Sequence, residues 1–460
     1  MQNTETTISP IDFERFHSIL ESVDLFDRGG KVIRVSGLTV ESRGPQVGLG
    51  QLCRITTKDN RHIFAEVAGF HNDNLILLPL EHVHGLSPGD IVSASPNRRH
   101  INLGDGILGR VLDGLGKPID SKGELTGTDK KLLDESSPAP LTREKISQPM
   151  PVGIRSIDGL LTCGKGQRVG IFAGSGVGKS VLLGEIANSS DADVNVVALI
   201  GERGREVREF LEEDLGPDGL EKSVVIVATS DAPAIQRIKA AFLAVAVAEY
   251  FRDKGKNVMF LMDSFTRFAQ AQREIGLAAG EPPASKGYCP SVFSLMPRLI
   301  ERLGCSDKGS ITGMLTVLVE NDDLSDPVAD SARSLLDGHI VLSRKLADRG
   351  HFPAVDILAS VSRLMPKIAS NEQKIAAQKI RQAYATYLDA EDLINIGAFA
   401  AGSNPQIDAS IAIYGNICRF LTQPVRQKSP YDETVSQLTS ISKTWDKFIT
   451  TDSKGKQKVK

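Results

Sequence analysis

A glycine-rich turn at residues 173–180 constrains the fold of this chain more than any other segment. The turn reads Ala-Gly-Ser-Gly-Val-Gly-Lys-Ser, and it lies between an apolar run at 167–172 and a helix-like run at 181–187. In a loop between a strand and a helix, backbone N–H groups can surround phosphate oxygens. The glycines carry no Cβ to obstruct that approach, and the helix N-terminus adds partial positive charge. The segment therefore predicts an α/β fold with a phosphate-binding loop.

The residues of this turn predict how a nucleotide would be held. We expect Lys179 to reach the β- and γ-phosphates and the Ser180 hydroxyl to ligate Mg²⁺. The generic motif begins with Gly, and here Ala173 occupies that position, so a chance match or a vestigial fold element is the alternative interpretation. The predicted phosphate-binding residues are Gly174, Ser175, Gly176, Val177, Gly178, Lys179, Ser180 and Val181.

A second signal for a nucleotide site lies downstream, where the apolar run 257–262 ends at Asp263. In phosphate-loop proteins a strand of this kind carries the acid that holds Mg²⁺. Many buried strands end in Asp, so this signal is weak alone. Together with the loop it predicts Asp263 and Ser180 as the metal-binding residues.

Composition excludes several classes of protein. The chain has 460 residues, 24% of them charged, and a net charge of −3, so no overall field favours nucleic acid or anionic membranes. The five cysteines show no metal-binding spacing, which indicates reduced thiols. The N-terminus does not read as a signal peptide, and the longest apolar run, 240–248, is too short to cross a bilayer. We expect any membrane association to be peripheral.

The pattern along the chain predicts five segments. Short β-rich runs between Gly, Asn and Asp turns indicate a small β-barrel, and the alternation of strands and helices that follows indicates a parallel sheet. The lysine-rich end indicates a solvated tail. The predicted segments are an amphipathic helix at 1–30, a β-barrel at 31–97, a phosphate-loop α/β domain at 98–365, a C-terminal helical domain at 366–430 and a polar tail at 431–460.

Two of these segments allow more than one role. An apolar stripe at helical spacing runs through residues 11–26, and it predicts either a helix folded onto its own core or a docking helix for a partner. The stripe consists of Phe13, Phe16, Leu20 and Val23. Small barrels can bind oligonucleotides, but this one offers only Phe64 and Phe70 as aromatics and no basic stripe. A structural role for the barrel is therefore the favoured prediction.

Further motifs resemble the α/β-type subunits of rotary ATPases, and the resemblance covers roughly residues 31–425. Within that superfamily the chain resembles the flagellar type III export ATPases, and next their virulence-secretion relatives. These export ATPases commonly carry Ala at the position of Ala173. Ala in place of the generic Gly therefore does not argue against a phosphate-binding loop. The resemblance implies a RecA-like core. Segments that carry the superfamily resemblance are 108–118, 201–206 and 353–363, and segments that carry the narrower one are 161–168, 280–288, 330–339 and 391–398.

The resemblance also implies roles for four residues. Glu202 matches the catalytic Glu of rotary β subunits, where non-catalytic α subunits carry Gln, and hydrolysis requires a carboxylate near the attacking water. A surface ion pair with Arg203 is the alternative role for this Glu. Arg267 matches an arginine that lines the β site, where it either balances phosphate charge or pairs with an acid. Phe352 occupies the place of an aromatic side chain that stacks on adenine.

Arg363 matches the arginine finger that rotary α subunits insert into a neighbour's site, and a surface Arg at a strand end is the alternative. We therefore count Lys179, Glu202, Arg267 and Arg363 as candidate catalytic residues. One chain holds the complete loop, the candidate base and the candidate finger, which rotary motors divide between two chains. A chain with both sets can form every site with copies of itself, so we expect a homo-oligomeric ring, by resemblance a hexamer.

The sequence thus predicts a Mg²⁺-dependent ATPase that energises type III protein export for flagellum assembly. The alternatives are the ATPase of a virulence injectisome, a hexameric RNA helicase and a non-hydrolysing ring subunit. The resemblance implies a stator protein at the N-terminal helix, a central stalk protein, export chaperone–substrate complexes and a membrane export gate as partners. We expect no nucleic acid partner. The implied location is the cytoplasm, at the periphery of the inner-membrane export apparatus.

Overall fold

The computed structural model describes residues 29–95, 100–127, 129–133, 136–319 and 325–456. The chain forms two compact units that divide between Arg98 and Arg99. The first unit contains a β-barrel and the second contains a large mixed sheet with helices. The predicted amphipathic helix at 11–26 lies outside the described residues.

Six antiparallel strands close the barrel of the first unit in the order β1-β2-β5-β4-β3-β6. Side chains that alternate inward along these strands form its core, among them Val40, Ile55 and Leu77, which are fully buried. The small β-barrel predicted from the sequence is therefore confirmed. Its strands are β1 Gly30–Ser36, β2 Thr39–Arg43, β3 Leu52–Thr56, β4 His62–His71, β5 Asn74–Pro79 and β6 Ile91–Ala94.

The strand β2 was not predicted from the sequence. Its short run Thr-Val-Glu-Ser-Arg contains little apolar alternation. Ser42 is nevertheless buried, because its hydroxyl donates hydrogen bonds to the carbonyl oxygens of Lys31 and Gly44 at 3.2 and 2.6 Å. A polar side chain that hydrogen-bonds to backbone carbonyls can face a core. Such a strand lacks the apolar alternation by which a buried strand is recognised in a sequence.

The second unit is built around a sheet of nine strands within the described residues. Eight of them follow the order β17-β16-β10-β15-β13-β11-β12-β8, and β14 pairs with β15. Strands β7 and β9 form a separate two-stranded ladder. The strands are β7 His100–Leu103, β8 Val111–Asp113, β9 Asp129–Leu132, β10 Arg168–Ala173, β11 Val194–Ile200, β12 Ser223–Ala228, β13 Asn257–Asp263, β14 Gly304–Cys305, β15 Ser310–Leu318, β16 Gly338–Leu342 and β17 Val355–Ser362.

Helices cover this sheet and continue into a C-terminal helical region. Single turns of other helix types occur at Asp105–Ile107, Phe210–Leu215 and Ser285–Gly287. The α-helices are α1 Arg155–Leu160, α2 Lys179–Ser189, α3 Gly204–Glu209, α4 Gly216–Glu221, α5 Ala234–Asp253, α6 Phe265–Ala278, α7 Pro290–Ile300, α8 Pro327–Leu335, α9 Arg344–Asp348, α10 Met365–Ile368, α11 Asn371–Asn395, α12 Pro405–Leu421 and α13 Tyr431–Lys456. No described helix has the length and apolar character that a membrane crossing requires.

The direction of the strands determines where a site can form. Strands β8, β10, β11, β12, β13, β15 and β16 run parallel to their neighbours, whereas β17 runs antiparallel to β16. Every residue of β11 and β12 is buried, as expected for strands covered on both faces. In such a sheet, ligands bind beyond the carboxyl ends of the parallel strands. The carboxyl end of β17 lies at the opposite edge.

The prediction of a polar tail at 431–460 is wrong for its described part, because helix α13 begins at Tyr431. Leu438 and Trp445 on this helix are buried, and the Tyr431 hydroxyl donates a hydrogen bond to Gln373 Oε1 on α11 at 2.8 Å. Buried positions recur every three or four residues and are separated by exposed or half-buried ones. The polar composition of the segment therefore concealed an amphipathic helix.

Candidate functional site

The predicted phosphate-binding loop connects β10 to α2 at the carboxyl edge of the sheet. Gly176 and Gly178 have φ angles of 77° and 86°, a region that residues with a Cβ rarely adopt. Gly178 caps α2, and its carbonyl accepts the Leu182 N–H at 3.0 Å. Val177 is buried beneath the loop. The loop therefore presents the backbone of a helix N-terminus to the space above the sheet.

The structure brings Lys179, Glu202 and Asp263 together beyond the ends of β10, β11 and β13. Lys179 Nζ donates a hydrogen bond to Asp263 Oδ1, and it lies 3.7 Å from Glu202 Oε1. All three side chains are largely buried. One ammonium group thus faces two carboxylates where a nucleotide phosphate would bring further negative charge.

Glu202 has an unusual electrostatic environment. Burial, and after it the charge of Asp263, raises the pKa of Glu202 to about 7, against the opposing effect of Lys179. Its Oε1 is buried and accepts no hydrogen bond within the described part of the chain. Arg203 donates instead to Glu206 at 3.3 Å, so the alternative of a surface ion pair between Glu202 and Arg203 does not fit the geometry. A buried acceptor without a hydrogen bond is available to a water molecule or a ligand.

Asp263 has a second donor that the sequence analysis missed. The Thr316 hydroxyl, on the central strand β15, donates to Asp263 Oδ1 at 2.8 Å. The polar residues inside the run 310–318 are the signal that could have drawn attention to this strand, which was not predicted either.

The side chains present fit a magnesium ion that is shared with a nucleotide. The described residues contain no cluster of three or more His, Cys, Asp or Glu that could hold a metal ion alone. Mg²⁺ commonly takes one or two protein oxygens and completes its coordination with phosphates and water. Ser180, in the first turn of α2, and Asp263 supply oxygen donors of the type that Mg²⁺ prefers.

Arg267 lies at the start of α6, close to the strand end that carries Glu202. A Cβ added to Gly201 would be 2.8 Å from the Cβ of Arg267, so the arginine packs against the backbone beside Glu202. Its Nη1 donates to Gln270 at 3.1 Å, and its buried Nε has no hydrogen-bond partner among the described residues. Of the two predicted roles, pairing with an acid is the less well supported, because its recorded side-chain partner is a neutral amide.

An apolar cavity of about 180 Å³ adjoins the phosphate loop. Phe352 lies on its wall with 45% of its surface exposed, and an added Cβ on Gly178 would lie 3.7 Å from its ring. The Gln423 N–H donates to the Phe352 carbonyl at 2.9 Å, which ties this wall to the C-terminal helices. An apolar slot beside a phosphate site suits a flat base. Its lining includes Val177, Val181, Phe352, Gln423, Pro424 and Val425.

The sequence analysis included Val177, Val181 and Phe352 but missed residues 423–425, which lie between α12 and α13. Their contribution depends on the packing of the C-terminal helices against the loop, and no local pattern in the sequence reports such packing.

Arg363 lies apart from the other candidate catalytic residues. It directly follows β17, its N–H donates to the Asp337 carbonyl at 3.1 Å, and its guanidinium donates to the Arg333 carbonyl at 3.1 Å. Asp337 directly precedes β16, so Arg363 lies at the amino edge of the parallel strands. Strand β10 has six residues, and at about 3.3 Å per residue a gap of roughly 17–20 Å separates the two edges. The structure therefore does not bring Arg363 to the loop of its own chain.

Comparison with protein families gives three matches along the chain. Residues 32–95 match the beta-barrel domain of the ATP synthase alpha/beta family, and residues 153–362 match the nucleotide-binding domain of that family. Residues 369–440 match the T3SS EscN ATPase C-terminal domain. The order of these matches agrees with the barrel, the sheet and the C-terminal helices described above, so the predicted fold class, a RecA-like core between a barrel and a helical region, is confirmed.

Individual relatives extend over most of the chain. The chain is 52% identical to the flagellum-specific ATP synthase of Bacillus subtilis, over 92% of this chain and 97% of that protein. It is 47% identical to the type 3 secretion system ATPase of Xanthomonas euvesicatoria, over 90% and 94% of the two chains. The structure resembles that of the assembled ATPase EscN from the type III secretion system of enteropathogenic E. coli, with a TM-score of 0.86, 46% identity and coverage of 90% and 100%.

Proposed function

The chain belongs to the family of flagellum-specific ATP synthases and type 3 secretion system ATPases, and from this membership and the site geometry we propose that it hydrolyses Mg²⁺-bound ATP to energise type III protein export during flagellum assembly. The observation that carries the proposal is the convergence of Lys179, Glu202 and Asp263 beside the loop. These are the groups that phosphoryl transfer to water requires: a cation for the phosphates, a base and a metal-holding acid.

In this proposal the residues of the site act in a definite order. Lys179 leaves the two acids and pairs with the β- and γ-phosphates when ATP enters. Glu202 then accepts a proton at Oε1 from the water that attacks the γ-phosphorus, and the bond from this phosphorus to the β,γ-bridging oxygen breaks, so that ADP and phosphate are released. A base whose pKa lies near the working pH is efficient in that role. A magnesium ion held by Ser180 and Asp263 would neutralise charge on the phosphates. The cavity beside Phe352 would receive the adenine.

We propose that Arg363 completes the site of a neighbouring copy. It is exposed and lies at the far edge of the sheet from its own loop, whereas a finger must reach the γ-phosphate. An arrangement in which each chain gives a finger to the next is a head-to-tail interface, and such an interface forms a ring when the rotation between copies closes. The ring is by resemblance a hexamer, and the similarity to an EscN that was solved in assembled form supports this proposal.

The proposed partners follow from the family. A central stalk protein is supported by the similarity to EscN solved in complex with its central stalk EscO. A stator protein at the N-terminal helix, export chaperone–substrate complexes and the membrane export gate remain proposals of the same kind. We place the protein in the cytoplasm, at the periphery of the inner-membrane export apparatus.

The alternatives have less support. The relatives include type 3 secretion system ATPases at similar identity, so an injectisome ATPase is the second candidate. An RNA helicase has no observation in its favour among the matched families. A non-hydrolysing subunit conflicts with the position of Glu202 beside Lys179.

Phosphate release and export together test the proposal. The purified chain should release phosphate from ATP with Mg²⁺ and lose this activity in EDTA. In a flagellated strain that lacks the gene, the wild-type chain should restore export of flagellar subunits to the medium and Glu202→Gln should not. The exposed Glu209→Gln on α3 is the matched control and should behave as wild type. Restored injection of effectors without flagellar export would favour the injectisome. Phosphate release that is independent of Mg²⁺ would contradict the proposed chemistry.

A further inference from the structure

The Thr316 hydroxyl lies on a strand that is paired along both edges inside the sheet. Its strand, β15, lies between β10 and β13, the two strands that end at the phosphate loop and at Asp263. In register, Thr316 lies opposite Ile171 of β10, and the preceding Leu315 lies opposite Met262 of β13. The Thr316 side chain is fully buried. A β-branched side chain on a strand paired at both edges holds its hydroxyl in a fixed position.

This hydroxyl and Lys179 share one oxygen of Asp263. The recorded hydrogen bonds to the carboxylate, from Thr316 at 2.8 Å and from Lys179, both go to Oδ1. Lys179 can only be a temporary partner, because the same ammonium group must pair with the phosphates when a nucleotide binds. The Thr316 hydroxyl does not have to pair with the phosphates, so its position does not depend on the nucleotide.

We propose that Thr316 is a positioning residue for the magnesium half of the site: its hydroxyl holds the Asp263 carboxylate in the orientation that receives the metal ion after Lys179 has moved to the phosphates. The proposal rests on the proposed function, since it presupposes Mg²⁺-dependent nucleotide binding. With Oδ1 held by Thr316, Oδ2 is left to face the metal ion or its bound water. Hydrogen-bond partners that orient metal-holding groups commonly change metal affinity or activity by 10–100-fold when they are removed.

A purely structural role for this hydrogen bond predicts different behaviour, and the same strand offers a control. Thr312 is also fully buried on β15, and its hydroxyl accepts the Gly166 N–H at 2.9 Å. That bond lies at the amino edge of the sheet, away from the loop. Replacing either Thr with Val removes one buried hydrogen bond at nearly constant volume, but only Thr316 contacts Asp263.

The experiment measures the affinity for a fluorescent ADP analogue in Mg²⁺ and in EDTA, with the full chain. We expect Thr316→Val to reduce the gain in affinity that Mg²⁺ confers by about tenfold and to leave the affinity in EDTA unchanged. Thr316→Ser keeps the hydroxyl and should restore the gain. Thr312→Val should keep the full gain, whatever its melting temperature. If Thr316→Val cannot be purified, Thr316→Ala gives the same comparison with Thr316→Ser.

Two results would overturn the proposal. One is a Thr316→Val chain with the wild-type gain from Mg²⁺. The other is an equal loss of affinity in Mg²⁺ and EDTA, which would mean that Thr316 only supports the fold of the site. A wild-type chain that neither gains affinity from Mg²⁺ nor hydrolyses ATP would refute the proposed function itself, and this outcome is recognisable before any variant is made.

Discussion

At the scale of single residues, the site depends on how three charged side chains share a small volume. Lys179 balances Glu202 and Asp263 in the absence of a nucleotide, and burial makes the negative form of Glu202 costly. When Lys179 turns to the phosphates, Glu202 is the carboxylate with an unbonded buried oxygen. This division supports the proposed roles, proton transfer for Glu202 and metal binding for Asp263.

Glu202→Gln should keep nucleotide binding and lose hydrolysis, because the amide has nearly the same shape but cannot accept the proton of water. Loss of a general base typically lowers the rate by about 10²–10⁴-fold. Phosphate release measures the rate, and binding of a fluorescent nucleotide measures retained affinity. A rate within about threefold of wild type, far short of the loss expected for a base, would remove Glu202 from this role.

The pH dependence of hydrolysis should report the raised pKa of Glu202. Below pH 7 the protonated fraction of this carboxyl group increases, and a protonated carboxyl group cannot accept a proton from water. We therefore expect kcat/KM to fall as the pH decreases through about 7. A profile of kcat/KM that stays flat down to pH 5 would mean that Glu202 is already ionised in the free enzyme and that its burial has no functional effect.

At the scale of elements, the sequence predicted what is encoded locally. The loop 173–180 and the runs that became β10 and β13 have their own apolar and glycine patterns, which do not depend on distant contacts. The order of the strands in the sheet could not be predicted from such local patterns. The central position of β15, and with it the bond from Thr316 to Asp263, follows from strand order, which no single segment contains.

The same distinction explains the errors at both ends of the described chain. Strand β2 and helix α13 carry polar residues that bond to other elements, such as Ser42 to the Lys31 carbonyl of β1 and Tyr431 to Gln373 of α11. The role of 423–425 beside the cavity also depends on helix packing. Residues whose partners are distant in sequence are the ones that sequence reasoning missed.

Helix α13 should contribute measurably to the stability of the C-terminal helices. Trp445, the one tryptophan of the chain, is 4% exposed on this helix, and Trp445→Ala should lower the free energy of unfolding by about 3–5 kcal/mol. Phe448 on the same helix is 46% exposed and serves as the control, since Phe448→Ala removes little buried surface. Urea unfolding followed by circular dichroism gives both values. Equal effects of the two substitutions would contradict the packing of α13.

At the scale of the whole molecule, the site residues and the N-terminal segment belong to different parts of the chain. Lys179, Glu202 and Asp263 lie in the unit that begins at Arg99. We therefore expect deletion of residues 1–26 to leave nucleotide binding intact and to abolish co-purification with the stator protein. Retained stator binding, together with a large drop in melting temperature, would mean that the apolar stripe of this segment is core and not a docking surface.

The positions of Arg363 and the loop lead to the central claim of the account, that each hydrolytic site is shared between two copies of the chain. Arg363 is exposed at the amino edge of the sheet and Glu202 lies at the carboxyl edge. A ring of Arg363→Ala subunits would have a base and no finger at every site. A ring of Glu202→Gln subunits would have a finger and no base.

Mixing these two inactive variants tests the claim most directly. In a mixed ring, some sites combine the intact Glu202 of an Arg363→Ala subunit with the intact Arg363 of a Glu202→Gln neighbour. We predict that phosphate release, strongly reduced in either variant alone, increases on mixing and rises with the fraction of mixed interfaces. A demonstrably mixed ring that remains inactive would contradict the claim and would mean that Arg363 does not act on the site of its neighbour.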